Sequence, residues 1–425
     1  MRPVKLPGAT LRAVHLAVLS SFALAQPLFD ILGRNATFFA VRGSSAREIV
    51  LFALALTVLP PALLLLVELG AGALDPLLGL ALHLLFVAVL GAMIALQAVK
   101  GLGGPASVLL LAAVLLGLGA GFLYRRFRPA QVLLTVLGPA PLLFLGLFLG
   151  SSDVSRLVFA KEPAVRAAHT RARAPVVLIV LDEFATVSLM DRNERIDARR
   201  FPNFARLAND ATWYRSTTSV HTHSESAVPA VLSGRLPRPH ELPTYADHPH
   251  NIFTLFGGNY RLHVFESLTS LCPSSLCRKE KRARAVRGGA GVLVSDSIVV
   301  YLHLLLPGSL AAHVTPIADS WGDFKGLRGG TAAQTHESDR EACGRGFCDL
   351  LQSISSDRRP SLYVLHVLLP HVPWTFLPSG KRYTGNPADI VLTDHGEIAI
   401  VIGSPPGTVP ARFPATPSPI STATG

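Results

Sequence analysis

The sequence predicts an N-terminal α-helical transmembrane bundle followed by an α/β domain with a mainly parallel central sheet. Three observations predict it. Residues 1–150 hold ten Lys/Arg and four Asp/Glu, against twenty-nine and twenty-four in residues 151–425. Five apolar stretches in that first third approach or exceed the length a bilayer core requires. Beyond them, continuous β-branched runs such as Val176–Leu181 read as strands of a parallel sheet buried on both faces. With 49% hydrophobic and only 16% charged residues, the composition excludes a disordered, collagen-like or ordinary soluble chain. The net charge of +11 does not point to nucleic acid, because no Lys/Arg run interleaves with aromatic residues; arginines flanking the spans account for much of it.

The predicted spans run roughly from Ala13 to Leu32, Ile49 to Val67, Leu77 to Val99, Ser107 to Tyr124 and Val132 to Leu149. The first is long and lacks a small-x-small cleavage site, so it reads as a retained helix and not a signal peptide. The Arg125–Arg128 cluster and the basic N-terminus both read as cytoplasmic, and with five spans the two agree. Everything after Gly150 is then outside the cell membrane, facing periplasm or exterior, although Arg34, Arg42 and Arg47 fall in an external loop. His83 alone among acids and bases sits at the centre of a span, and a lone intramembrane histidine reads as a packed helix contact. A transporter or channel requires paired polar residues within the spans, so the bundle reads as an anchor for the bilayer.

The domain boundaries follow: anchor 1–150, linker 151–174, α/β domain 175–402, and a Pro-rich tail 403–425 with six prolines. Four cysteines form two local pairs, Cys272/Cys277 and Cys343/Cys348. Two short-loop disulfides outside the cytoplasm fit this spacing better than a structural zinc site does.

Chemistry gathers at strand ends. Val176–Leu181 leads into Asp182-Glu183, Ala388–Thr393 into Asp394-His395-Gly396-Glu397, and Leu362–Leu369 into Pro370-His371. Ligands of open α/β sheets bind outside the carboxyl ends of strands. Three buried strands each delivering an acid or a histidine to one edge therefore predict a divalent-metal site. Carboxylate and imidazole donors suit zinc or manganese and, less well, magnesium or calcium. The hydroxyl-rich segment Ser216–Ser226, leading into Ala227–Gly234, offers a nucleophile at a helix N-terminus.

Taken in order, these residues resemble the alkaline phosphatase/sulfatase superfamily in its membrane-anchored branch, as in lipoteichoic acid synthases and phosphoethanolamine transferases. Leu181-Asp182-Glu183 looks like the first metal-ligand strand. Phe201–Ala208 is similar to the sulfatase segment Thr-Pro-Asn-Leu-x-x-Leu-Ala. Ser224–Gly234 matches the nucleophile helix, and Thr393–Glu397 looks like the Ser/Thr-Asp-His-Gly-Glu metal motif. The resemblance covers about 172 to 397. It implies Ser224 as nucleophile with Thr222 as the fallback, Asp182, Glu183, Asp394 and His395 as metal ligands, and His371 on the substrate side. The implied activity is attack of a hydroxyl on a phosphate or sulfate ester, lipid- or glycan-linked substrates included.

Departures from the family pattern matter. Ser226 and Val228 stand where formylglycine maturation needs Pro and Arg, so the nucleophile stays a plain hydroxyl. Only twenty-two residues separate His371 from Asp394, and the family's late strands are replaced by the Pro-rich tail. The alternative reading is a catalytically degenerate relative serving as a binding or assembly module in the envelope.

Overall fold

The computed structural model describes residues 7–277, 290–315, 317, 350–354 and 360–370, together with the backbone of 390–392 and 398–400. Five helices are long and apolar enough to cross a membrane: Ala9–Arg34, Ala46–Leu74, Pro76–Leu102, Ala106–Arg126 and Arg128–Gly150. They contain the five predicted stretches and extend most of them. Their outward leucines, such as Leu63, Leu77, Leu115 and Leu142, stay exposed, as lipid-facing residues do in a bundle whose solvent is hydrocarbon.

Packing between spans depends on small residues. A Cβ at Gly117 would lie 2.4 Å from the Ala88 carbonyl oxygen, and one at Gly79 would lie 2.7 Å from the Gly72 Cα. Lipid supplies no hydrophobic force between helices, so such close backbone approach is what holds them. The first span contains a π-helical turn, Ser21–Ala25, a geometry that loosens the normal carbonyl ladder. The Ala23 carbonyl there accepts hydrogen bonds from Gln97 Nε2 (3.0 Å) and Tyr301 OH (2.7 Å).

Tyr301 belongs to a shorter apolar helix, Ala290–Leu305. Its Leu293, Val299 and Val300 share one buried cluster with Phe29, Phe39, Ile49 and Phe52 of the bundle. Arg42 pairs with Asp296 at 2.5 Å, both side chains buried. The chain thus returns from the α/β region to lean on the first two spans.

One expectation about the bundle is overturned. His83 is not isolated: its Nδ1 lies 2.7 Å from Glu68 Oε2 and its Nε2 lies 3.0 Å from Tyr124 OH. The second span continues to Leu74, which carries Glu68 inside the helix instead of one residue beyond it. Polar residues are therefore paired within the spans.

The sheet has three parallel strands in the order β1 (Val176–Leu181), β3 (Ser361–Val367), β2 (Arg261–Phe265). β3 is central and buried along its whole length. β1 has the predicted bounds, whereas β2 was not anticipated: Arg261-Leu262-His263-Val264-Phe265 alternates polar and apolar residues and lacks a continuous apolar run. The predicted third parallel strand is instead a triplet, β4 (Ile390–Leu392), pairing antiparallel with β5 (Ile398–Ile400) in a separate two-stranded sheet. The five-residue separation of these two apolar triplets suits local antiparallel pairing, whereas a parallel partner requires a long crossover.

The span packing has a direct check. Gly117→Ala should destabilise the bundle by about 1–3 kcal/mol through overpacking. Gly119→Ala, on the same helix but with open space around its Cβ, should be neutral or slightly stabilising. Thermal unfolding of both variants in detergent reads the difference.

Candidate functional site

Strand pairing places the site. Val180 sits opposite His366, and the β1–β3 ladder extends one residue further, with Asp182 N–H donating to the Val367 carbonyl at 3.0 Å. Side chains alternate along a strand and parallel partners share a face. Val176, Leu178, Val180 and Asp182 therefore face the same way as Leu362, Val364 and His366. The helix Ser224–Ser233 covers this face, its Val228 and Leu232 packing on Leu178, Val180, Leu362 and Val364. The last apolar row ends where Asp182 and His366 begin.

The helix starts at Ser224, after His223 in extended conformation, and stops at Gly234, whose φ of 68° is the left-handed value that favours glycine. Packing of Val228 and Leu232 seats the first turn over the end of β1. Ser224 Oγ donates to Asp182 Oδ1 at 2.7 Å across 42 residues of sequence. Thr222 is exposed two residues upstream. His221 and His223 flank it with ring centroids 5.5 Å apart, and His223 N–H donates to His221 Nδ1 at 3.1 Å.

Glu183 is exposed and holds φ of 55°. A non-glycine residue there carries roughly 1–3 kcal/mol of strain, and such strain clusters at functional sites. The turn it makes sends the chain to Phe184, which contacts the Phe204 ring at 5.4 Å. Phe204 lies on the helix Pro202–Asp210, inside the segment that resembles the sulfatase pattern.

His366 was missed by motif reading because it interrupts an otherwise apolar strand and belongs to no motif. The signal lay in phase: position 366 alternates with 362 and 364 on the face that carries Asp182. His366 is 3% exposed, and neither ring nitrogen has a hydrogen-bond partner among the described residues. Desolvation pushes its pKa down to about 4, opposed by the negative charge of Asp182. Asp182 Oδ2 is likewise buried without a partner. Buried polar atoms left unpaired cost roughly 1–3 kcal/mol each, so adjacent orphans call for an explanation.

A divalent cation meets that demand, since an orphaned carboxylate oxygen and a neutral imidazole are both donors for zinc or manganese. No group of three His, Cys, Asp or Glu residues able to hold a metal occurs among the described residues. Asp394, His395 and His371 lie outside the described residues. Glu266, just past β2, is engaged elsewhere: its Oε1 accepts from Thr269 Oγ1 and Leu271 N–H at 2.7 Å, and its Oε2 from Cys272 N–H at 3.1 Å. It braces the loop closed by the Cys272–Cys277 disulfide. The Cys343/Cys348 pair lies outside the described residues.

Beside the first turn of the helix Ser224–Ser233 opens a cavity of about 430 Å³, bordered by His221, Glu225, Ser226, Arg238 and His240 and, from the end of the first span, Arg34. Arg34, Ala36 and Thr37 of the helical region thus line one side of the cavity that Glu225 and Ser226 border.

These features define a protein with a bundle of membrane-length helices joined to a small parallel α/β sheet that carries a hydrogen-bonded Ser–Asp pair at its carboxyl edge. The chain significantly matches no protein family, no curated protein and no solved structure.

The histidine dictates a pH dependence. Unfolded His366 takes up a proton near its ordinary pKa of 6.5, whereas folded His366 does so only near 4. Between those values the unfolded state binds more protons, so stability is full above pH 6.5 and falls as pH drops toward 4. The slope reaches at most about 1.4 kcal/mol per pH unit. Denaturant midpoints of metal-free protein across this window should show the slope, and His366→Leu should make it shallower.

Proposed function

We propose that the chain is a membrane-anchored, metal-dependent hydrolase or transferase of phosphate or sulfate esters, related to the alkaline phosphatase/sulfatase superfamily. Ser224 is its nucleophile and its active site faces the periplasm or cell exterior. The observation that carries this reading is the 2.7 Å hydrogen bond from Ser224 Oγ to Asp182. It joins two residues that the motif resemblance had singled out separately. The Arg125–Arg128 cluster and the disulfide favour the orientation.

The chain's own groups perform definable work. Asp182 Oδ1 orients the Ser224 hydroxyl and accepts its proton as Oγ attacks phosphorus. The Oγ–P bond forms while the P–O bond to the departing alcohol breaks, and the alcohol oxygen takes a proton from water. Attack by water or an acceptor hydroxyl on the phosphoserine then frees Ser224; the attacker's proton neutralises the hydroxide left by the first step, and the proton on Asp182 returns to Ser224. The positive N-terminal end of the helix favours the anionic ester beside Ser224. Asp182 and His366, joined by Asp394 and His395 as the motif implies, would hold the metal. When bound, it supplies charge neutralisation at phosphorus and lowers the pKa of the attacking hydroxyl.

Nucleophile and carboxylate act as one unit, so their losses should not add. Ser224→Ala, Asp182→Asn and the double variant should each lower turnover of an aryl phosphate ester by about the same factor, on the order of 10³ or more. Wild-type-like turnover in Ser224→Ala, with loss in Thr222→Ala, moves the nucleophile upstream. Absence of turnover and of bound metal in wild type favours the degenerate binding module.

A further inference from the structure

The bundle contains an unbroken chain of polar side chains to which every span contributes. Arg12 Nη1 of the first span lies 2.6 Å from Glu68 Oε1 of the second. Glu68 Oε2 lies 2.7 Å from His83 Nδ1 of the third, and His83 Nε2 lies 3.0 Å from Tyr124 OH of the fourth. Tyr124 OH also lies 2.8 Å from His15 Nδ1, and His15 Nε2 lies 2.9 Å from Thr135 Oγ1 of the fifth span. Thr135 can donate to the Gln131 carbonyl at 2.9 Å, while Gln131 Nε2 donates to the Tyr124 carbonyl at 3.0 Å. Glu68, His83, Tyr124 and His15 are each at most 1% exposed.

Counting donors and acceptors shows what this chain can hold. With Thr135 donating to Gln131, its oxygen accepts from His15 Nε2–H. With Glu68 ionised, two arrangements then satisfy every remaining contact. In one, His83 is doubly protonated, donating to Glu68 and to Tyr124, and Tyr124 O–H donates to His15 Nδ1. In the other, His15 is doubly protonated, His15 Nδ1–H donates to Tyr124, and Tyr124 O–H donates to His83 Nε2. The two differ only by one proton passed across the phenol. His83 gives a proton to the Tyr124 oxygen as Tyr124 gives its own to His15, and no atom is gained or lost. With both imidazoles neutral, the Thr135 hydroxyl must turn from Gln131 to His15 instead.

We propose that the bundle is a proton-binding element, in which His15 and His83 share one proton through the Tyr124 hydroxyl. Glu68 provides the counter-charge, Arg12 pairs with it, and the two less buried ends of the chain, Arg12 and Thr135, connect it to the surface of the bundle. Ionisable residues inside membrane spans are costly and mark function by default. A lone structural clasp would need no second histidine on the far side of the tyrosine. The groups facing the pair are Arg12 from the first span, Glu68 from the second, Tyr124 from the fourth, and Gln131 and Thr135 from the fifth. This inference stands apart from the Ser224 chemistry and survives its failure.

The test is ¹⁵N magnetic resonance of full-length, histidine-labelled protein in liposomes, titrated from about pH 8 to about pH 5, the range in which histidine charge changes occur. His15→Gln and His83→Gln assign the two signals. In wild type both signals should move from neutral toward imidazolium together, with one midpoint. In Tyr124→Phe, which keeps the ring and removes the bridge, only the His83 signal should move, because Glu68 remains beside it. Two wild-type signals that stay neutral throughout would overturn the proposal. So would a His15 shift that survives in Tyr124→Phe, or two separate wild-type midpoints.

Discussion

The parallel pairing of β1 with β3 is the constraint on which the α/β region depends. Its register sets Val180 beside His366 and, through the Asp182 N–H bond to Val367, fixes where the carboxylate leaves the sheet. A slip of one residue between the strands would put Asp182 and His366 on opposite faces, driving one of them into the side where Leu181, Tyr363, Leu365 and Val367 pack with Leu268 and Val41. Apolar rows on both faces therefore specify the register, and the polar pair at the edge is a consequence of them. The helix Ser224–Ser233 obeys the same logic, since burial of Val228 and Leu232 determines where Ser224 comes to rest.

A second constraint operates in the anchor, where hydrocarbon offers polar groups no partners. Ionisable side chains buried there find one another, and the chain from Arg12 to Thr135 runs through all five spans. The loosened turn at Ser21–Ala25 shows the same rule for backbone, since its Ala23 carbonyl is met by Gln97 and by Tyr301. Tyr301 and Asp296 come from a helix after β2, so the bundle and the sheet are stitched together more than once along the chain.

Much of this architecture was legible in residue order. Span positions follow from local hydropathy, which lipid enforces directly, and β1 from a continuous β-branched run. β2 was not legible, because a strand with Arg261 and His263 looks like a surface loop until β3 is there to pair with it. Glu68 escaped for a similar reason: hydropathy ends the second span at Val67, whereas helix geometry carries the next turns onward and meets His83 from the third. His366 shows the limit of motif reading most clearly. Its role depends on which face of β3 it occupies relative to Asp182, a matter of inter-strand register that no local pattern encodes. Ser224 and Asp182, by contrast, were singled out by separate motifs, and the fold brings them into contact.

A Ser224 hydroxyl that, held by Asp182, attacks a phosphate ester becomes transiently phosphorylated. Acid quenching of the full-length protein during turnover of an aryl phosphate, followed by peptide mass spectrometry, tests it most directly. The account predicts a phosphoryl group on Ser224 that disappears when Asp182 is replaced by Asn. A phosphoryl group on Thr222, or turnover with no modified peptide, would contradict it.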